Sequence, residues 1–146
     1  MRILFVSSVG GHLRELLSLV PAFAGHELGL VVNDQIDVPR DFGTRVWRIP
    51  HPERSLSFSR YFVWALRIVR GYRPHLVVSA GAGHAVPFAV VGKLFRARVV
   101  FLETIAASER PTLTGRLVYP LADLFMYQWD TLSRYYPKGI SVGPVW

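Results

Sequence analysis

Residues 76–95, LVVSAGAGHAVPFAVVGKLF, carry in one stretch an apolar run of strand length, a glycine-rich turn ending in histidine, and an apolar segment long enough for a helix. A short, wholly apolar run reads as a parallel strand buried on both faces. Pro87 falls in the first turn of the segment that follows, where its missing N–H costs nothing. The same order stands at the start of the chain. Residues 2–7, RILFVS, run into Ser7-Ser8-Val9-Gly10-Gly11-His12, after which Leu13, Leu16, Leu17 and Val20 recur at helical spacing up to Pro21.

Outward from these two units the alternation continues. Residues 28–32 and 45–49 read as strands, and the loops 35–44 and 50–55 are rich in Pro, Asp and Gly. A helix is expected from Leu56 to Tyr72, stopped by Gly71 and Pro74. Helix 85–95, strand 98–102, helix 112–122, strand 124–128, a short helix 130–135 and a last strand 140–142 follow. Short connections between alternating strands and helices predict right-handed crossovers and one α/β domain over residues 1–146, a Rossmann-like doubly wound parallel sheet.

The chain has 146 residues, of which 51% are hydrophobic, enough for one well-made core and too few residues for a multi-domain enzyme. There is no cysteine, which removes disulfides and thiolate metal sites, and the five histidines lack the close pairing of a zinc motif. Neither a metal nor a cofactor is expected. The net charge is +7, and fifteen of the seventeen cations are arginine, which suits bidentate recognition of phosphate or carboxylate. No apolar run reaches the ~20 residues of a bilayer span, and the opening residues turn into glycine too early for a signal peptide. A cytoplasmic chain, soluble or peripheral on a membrane, is the expectation.

Four constellations carry candidate chemistry. Ser8, Gly10, Gly11 and His12 lie where a parallel strand meets a helix N-terminus, whose unpaired N–H groups favour an anion. Gly81, Gly83 and His84 repeat that design after a second parallel strand, so both loops face the same sheet edge and suit a diphosphate. The spacing is neither the dinucleotide fingerprint nor a Walker loop. Glu103, just past strand 98–102, is an acceptor for sugar hydroxyls, a general base, or the partner of Arg110 or another arginine. On the helix 56–72, Phe58, Tyr61, Phe62, Ala65, Leu66, Ile68, Val69 and Tyr72 cover one broad face, the core-packing face if this is an ordinary core helix. Arg60, Trp64 and Arg67 lie together beside it as a basic, aromatic membrane-contact edge, or as the solvated rim of a core helix.

The Gly-Gly-His opening, then SAGAGHAVPFAVVGKLFRARVVFLET (79–104), LTGRLVYPLADLFMYQWDTLSRYYP (113–137) and a terminal Val-Gly-Pro resemble the small glycosyltransferase subunits of bacterial polysaccharide synthesis called PssD or CpsF. These are similar to asparagine-linked glycosylation protein fourteen, the membrane-recruiting subunit of a UDP-N-acetylglucosamine transferase. The resemblance implies the N-terminal, lipid-acceptor half of a GT-B enzyme such as MurG, with a separately encoded donor-binding subunit as partner. It further implies a polyprenyl-diphosphate sugar as acceptor, a nucleotide sugar as donor, and inverting transfer without a metal. The eukaryotic members begin with a membrane helix; this sequence opens on its first strand, which implies peripheral attachment to the inner face of an anionic cell membrane. By carry-over of the Gly-Gly-His motif, His12 is the expected base and Glu103 the second choice. Residues 103–107 lack the arginine expected just after the acid, so Arg110 is taken as its substitute. The competing expectations are a non-catalytic scaffold that holds the catalytic partner at the membrane and a basic nucleic-acid module. No nucleic-acid motif supports the latter.

Overall fold

The computed structural model describes residues 1–8, 10–33, 42, 45–50 and 58–145. The expected loops at 35–44 and 50–55 and the helix start at 56–57 lie almost wholly outside them. Seven strands form one parallel sheet in the order β3-β2-β1-β4-β5-β6-β7: β1 (Arg2–Val6), β2 (Glu27–Asn33), β3 (Arg45–Ile49), β4 (Leu76–Ala80), β5 (Arg98–Leu102), β6 (Leu124–Tyr127) and β7 (Ile140–Ser141). Among the described residues four helices cross between them: α1 (Gly11–Leu19), α2 (Phe58–Tyr72), α3 (Ala85–Leu94) and α4 (Leu113–Val118). The expected helices 112–122 and 130–135 shorten to α4 with a 3₁₀ turn at Tyr119–Leu121, and to a 3₁₀ turn at Asp130–Leu132. Pro120 lacks the N–H that would continue the first of these.

Alternation along the central strands sorts the core into layers. Leu4 and Val6 of β1 and Val77 of β4 pack with Ala65, Val69, Phe88 and Val91 of α2 and α3; Ile3, Phe5 and Val78 face the opposite way, onto Leu13 and Leu16 of α1. A third cluster joins Phe101, Phe125 and Tyr127 to α3, α4 and Tyr136. Tyr72 ties α2 to the sheet: its hydroxyl donates to the Glu27 carbonyl at 3.0 Å, and Trp47 meets its ring edge-on at 5.1 Å. Burial pushes the Tyr72 phenol up to about 12, since a phenolate there would lose its hydration.

The helix α2 corrects one expectation. Its buried side is Tyr61, Ala65, Ile68, Val69 and Tyr72, while Phe58 (51% exposed), Val63 (56%) and Leu66 (46%) look outward. Phe58 and Leu66 therefore do not belong to the core face, and Trp64 is half-buried against it. Arg73 (φ 51°) and Arg96 (φ 64°), just past the ends of α2 and α3, hold left-handed backbone that glycine adopts more easily.

Candidate functional site

The strand order reverses direction at β1 and β4, which pair in register from Ile3↔Leu76 to Val6↔Ser79. From β1 the chain crosses one face through α1; from β4 it crosses the other through α3. Their connections part at the carboxyl edge and leave a crevice, the place where open parallel sheets hold ligands. Both glycine loops open onto it.

Three side-chain contacts fasten the loops together. Ser79 Oγ lies 2.8 Å from the Val6 carbonyl and 3.1 Å from that of Gly81, sharing one proton between them. His84 Nε2 donates to the Ser7 carbonyl at 2.8 Å, which puts the ring proton on that nitrogen, and the ring leans on Tyr61 of α2 at 5.6 Å. The His12 ring lies on Gly81: a Cβ there would stand 2.5 Å from His12 Nδ1 and 2.7 Å from Cε1. Gly81 also has φ +73°, so both conformation and space require glycine. The two loops expected to share a site are in contact.

Within this crevice the predicted residues occupy different depths. Gly10 (φ 78°) precedes α1, which has no side-chain cap, so the first N–H groups of the helix, at Gly11 and His12, have no intrahelical partner. Gly11 and Gly83 are exposed, Ser8 and His12 half-buried, and His84 is 3% exposed with its Nε2 spent on Ser7. His12 Nδ1 is buried without a hydrogen bond.

Glu103 is fully buried just past β5. Its Oε1 accepts from the Thr112 hydroxyl (2.8 Å) and the Thr104 N–H (3.2 Å); its Oε2 accepts from the Tyr136 hydroxyl (2.6 Å) and the Thr112 N–H (3.3 Å). Burial and then the Glu103 carboxylate hold the Tyr136 phenol well above its ordinary range. The expected partnership with Arg110 is not found. Arg110 is exposed, and the donors on Glu103 are hydroxyls and amides of the loop that folds over it. Gly115 leaves the room: a Cβ there would collide with Glu103 Oε2.

Sequence reasoning missed Glu15. This residue of α1 is 1% exposed, and its Oε1 accepts from the Thr104 hydroxyl at 3.1 Å and the Ile105 N–H at 2.9 Å, bridging α1 to the loop after β5. Its Oε2 is buried with no partner. Thr104 thus stands between two buried acids, and β1, β4 and β5 all send their carboxyl-end loops into one hydrogen-bonded assembly.

Away from the crevice, the outer side of α2 sets Phe58, Val63 and Leu66 among the exposed Arg60, Arg67 and Arg70. Among the described residues no helix is long and apolar enough to cross a membrane.

Comparison with known proteins places these features in a family. The model described as "Oligosaccharide biosynthesis protein Alg14 like" matches residues 51–145. The UDP-N-acetylglucosamine transferase subunit ALG14 of Rattus norvegicus is 26% identical across 98% of this chain and 82% of its own length. The human protein of that name is 24% identical across 99% and 83%. Among solved structures, MurG of Acinetobacter baumannii superposes with a TM-score of 0.71 at 13% identity, over 89% of this chain and 42% of that one. A UDP-N-acetylglucosamine 2-epimerase from Rickettsia bellii gives 0.76 at 11% identity, over 99% and 45%. The chain spans less than half the length of these solved structures and has the fold of one Rossmann-like lobe of such two-lobed enzymes.

Proposed function

This chain belongs to the Alg14-like family of oligosaccharide biosynthesis proteins, and on that footing we propose that it is the acceptor-side subunit of a two-component, UDP-N-acetylglucosamine-type glycosyltransferase. A separately encoded subunit binds most of the nucleotide sugar, and the acceptor is a polyprenyl-diphosphate-linked sugar. The observation that carries this reading is the meeting of two glycine loops at the β1/β4 switch point, closed by His12 on Gly81. There the free N–H groups and positive end of α1 offset the negative charge of a diphosphate, with Ser8, Gly10, Gly11 and Gly83 letting it approach the backbone.

In the transfer, the acceptor hydroxyl oxygen attacks the anomeric carbon, the bond from that carbon to the nucleotide diphosphate breaks with inversion, and the hydroxyl proton passes to a base. His12 is that base. Its Nδ1 is sealed against Gly81, which leaves Nε2 to take the proton. Glu103, with four donors on its two oxygens and no exposed surface, braces the loop instead. His84 supports the β1 loop through Ser7 from beneath, and the exposed Arg110 meets the acceptor from the rim. The outer face of α2 rests on an anionic membrane, its arginines at the headgroups and its exposed Phe58, Val63 and Leu66 at the acyl boundary, on the cytoplasmic side.

One observation favours the scaffold reading: His12 Nδ1 has no acceptor to orient the ring, as a tuned base ordinarily has. The two readings separate in one experiment. The chain is purified with its donor-binding partner and assayed with UDP-N-acetylglucosamine and a polyprenyl-diphosphate sugar. His12→Ala lowers kcat about 10²–10⁴-fold if His12 is the base. Unchanged turnover by intact complexes of both His12→Ala and Glu103→Gln assigns the chain to scaffolding.

A further inference from the structure

At the opposite edge of the sheet, where the strands begin, Arg2, Arg70, Arg73, His75, Phe95 and Arg96 line a cavity of about 470 Å³, well within the size of small-ligand pockets. Five residues of β4 separate it from the glycine loops, about 16 Å of strand, so one small ligand cannot serve both. No acid lines it. Among the described residues the one ion pair is Lys93–Asp123 at 2.9 Å, and Asp123 belongs to the neighbouring cavity. Glu27 stands opposite Arg2 in the strand pair and forms no ion pair with it.

The cavity is held in place by its own backbone. Arg2 Nε donates to the Arg73 carbonyl at 3.0 Å, and the Arg2 N–H donates to His75 Nδ1 at 3.0 Å, which leaves the imidazole proton on Nε2 as a further donor. Arg73 and Arg96 each occupy the left-handed position after a helix, where glycine fits without strain. The chain keeps arginine at both. Compensation of the helix dipoles does not account for them, since Arg70 and Lys93 already occupy the last turns of α2 and α3. Four guanidinium groups gathered without a carboxylate repel one another until an anion arrives. Their planar forks match the oxygens of phosphate.

We propose that this cavity is a second anion site, for a ligand that presents phosphate, either as a soluble phosphate compound or as a lipid headgroup. It stands independently of the acceptor site at the glycine loops. The test uses the full chain in two arms, each read as the binding that the cavity variants lose relative to the unsubstituted chain, because the glycine loops and the outer face of α2 also take anions: calorimetric titration with inorganic pyrophosphate at low salt, and sedimentation with phosphatidylcholine vesicles with and without phosphatidic acid. Arg73→Gly and Arg96→Gly each remove a guanidinium and relieve left-handed backbone, so Tm holds or rises while binding weakens about 10-fold each, the worth of one charged hydrogen bond. Arg134→Ala removes the same charge elsewhere and leaves binding within about twofold. Loss in the pyrophosphate arm identifies a soluble ligand, and loss in the vesicle arm alone identifies a headgroup. Absence of binding in both arms, equal binding by the glycine variants, or an equal loss in Arg134→Ala overturns the proposal.

Discussion

Replacing Gly81 with alanine tests whether the two glycine loops form one unit. Two costs combine. Alanine at φ +73° pays the left-handed penalty of about 1–2 kcal/mol. Its Cβ would also meet His12 Nδ1 at 2.5 Å and Cε1 at 2.7 Å, inside van der Waals contact, so the ring must move. Overpacking costs about 1–3 kcal/mol, and a half-buried ring that can swing outward puts this case near the lower end. The expected loss is about 2–3 kcal/mol, or a fall in Tm of roughly 6–10 °C for a chain of this size. Urea titration of the isolated chain, followed by circular dichroism, measures it. The decisive arm is a double-mutant cycle. In a His12→Ala background the steric cost disappears and only the backbone penalty remains, giving a coupling of about 1 kcal/mol between residues 12 and 81. Additive single-mutant losses would refute the packing of His12 on Gly81, and with it the shared crevice.

Two other outcomes follow from the buried groups. Glu103→Gln sets an amide NH₂ against donors that now face carboxylate oxygen, Thr112 Oγ1 and the Tyr136 hydroxyl among them, and should destabilise the chain by about 1–3 kcal/mol while an assembled complex keeps its turnover; a stable but inactive Gln variant would make Glu103 the base. At high pH the sign is set by the phenols. The Tyr72 pKa is raised from 10.0 to about 12 in the fold, so its contribution is complete below pH 10 and is lost as pH climbs through about 12; Tyr72→Phe should blunt that alkaline loss in a pH series of urea titrations, and an unaltered pH profile would contradict it.

The sheet was legible because β1, β4 and β5 carry uninterrupted apolar runs of three or four residues (3–6, 76–78 and 99–102), each punctuated by a serine or glutamate. Residues 98–102 and 45–49 are strands with the bounds their composition suggests. The face of α2 was harder to read. Leu66 lies about 100° from Ala65, outside the arc from Ile68 to Val69 that the core covers, whereas Phe58 lies within that arc but is the first residue of the helix and is 51% exposed there. Glu15 gave no signal at all. At ~100° per residue it sits about 200° from Leu13, on the side of α1 that periodicity assigns to solvent. Only the loop after β5, folding back to present the Thr104 hydroxyl and the Ile105 N–H, encloses it. The likeness of the two Gly-His loops was equally misleading about roles. His12 follows its glycines within the first turn of α1, whereas His84 precedes α3 and points beneath, so one ring covers a neighbouring glycine and the other is hydrogen-bonded below the β1 loop.

The two buried acids beside Thr104 differ in valence, and that difference separates bracing from chemistry. Both oxygens of Glu103 are filled, and each donor comes from the segment 104–136 that it holds in place. Any further role for that carboxylate would first have to release a loop. Glu15 is filled on one oxygen only, and His12, one turn earlier on the same helix, is unsatisfied at Nδ1. A buried polar atom without a partner costs roughly 1–3 kcal/mol, so α1 carries two such deficits at the end that meets the glycine loops. In the proposed enzyme those deficits lie beneath the helix end whose Gly11 and His12 N–H groups meet the acceptor, so a change at Glu15 reaches the bound acceptor through α1. Glu15→Gln probes this directly: it keeps an oxygen for Thr104 and Ile105 and places a donor where Oε2 stood. The isolated chain should keep its stability to within about 1 kcal/mol, while the complex should show an altered KM for the lipid acceptor at unchanged kcat. A fall in kcat at unchanged KM would instead place Glu15 in the transfer step itself.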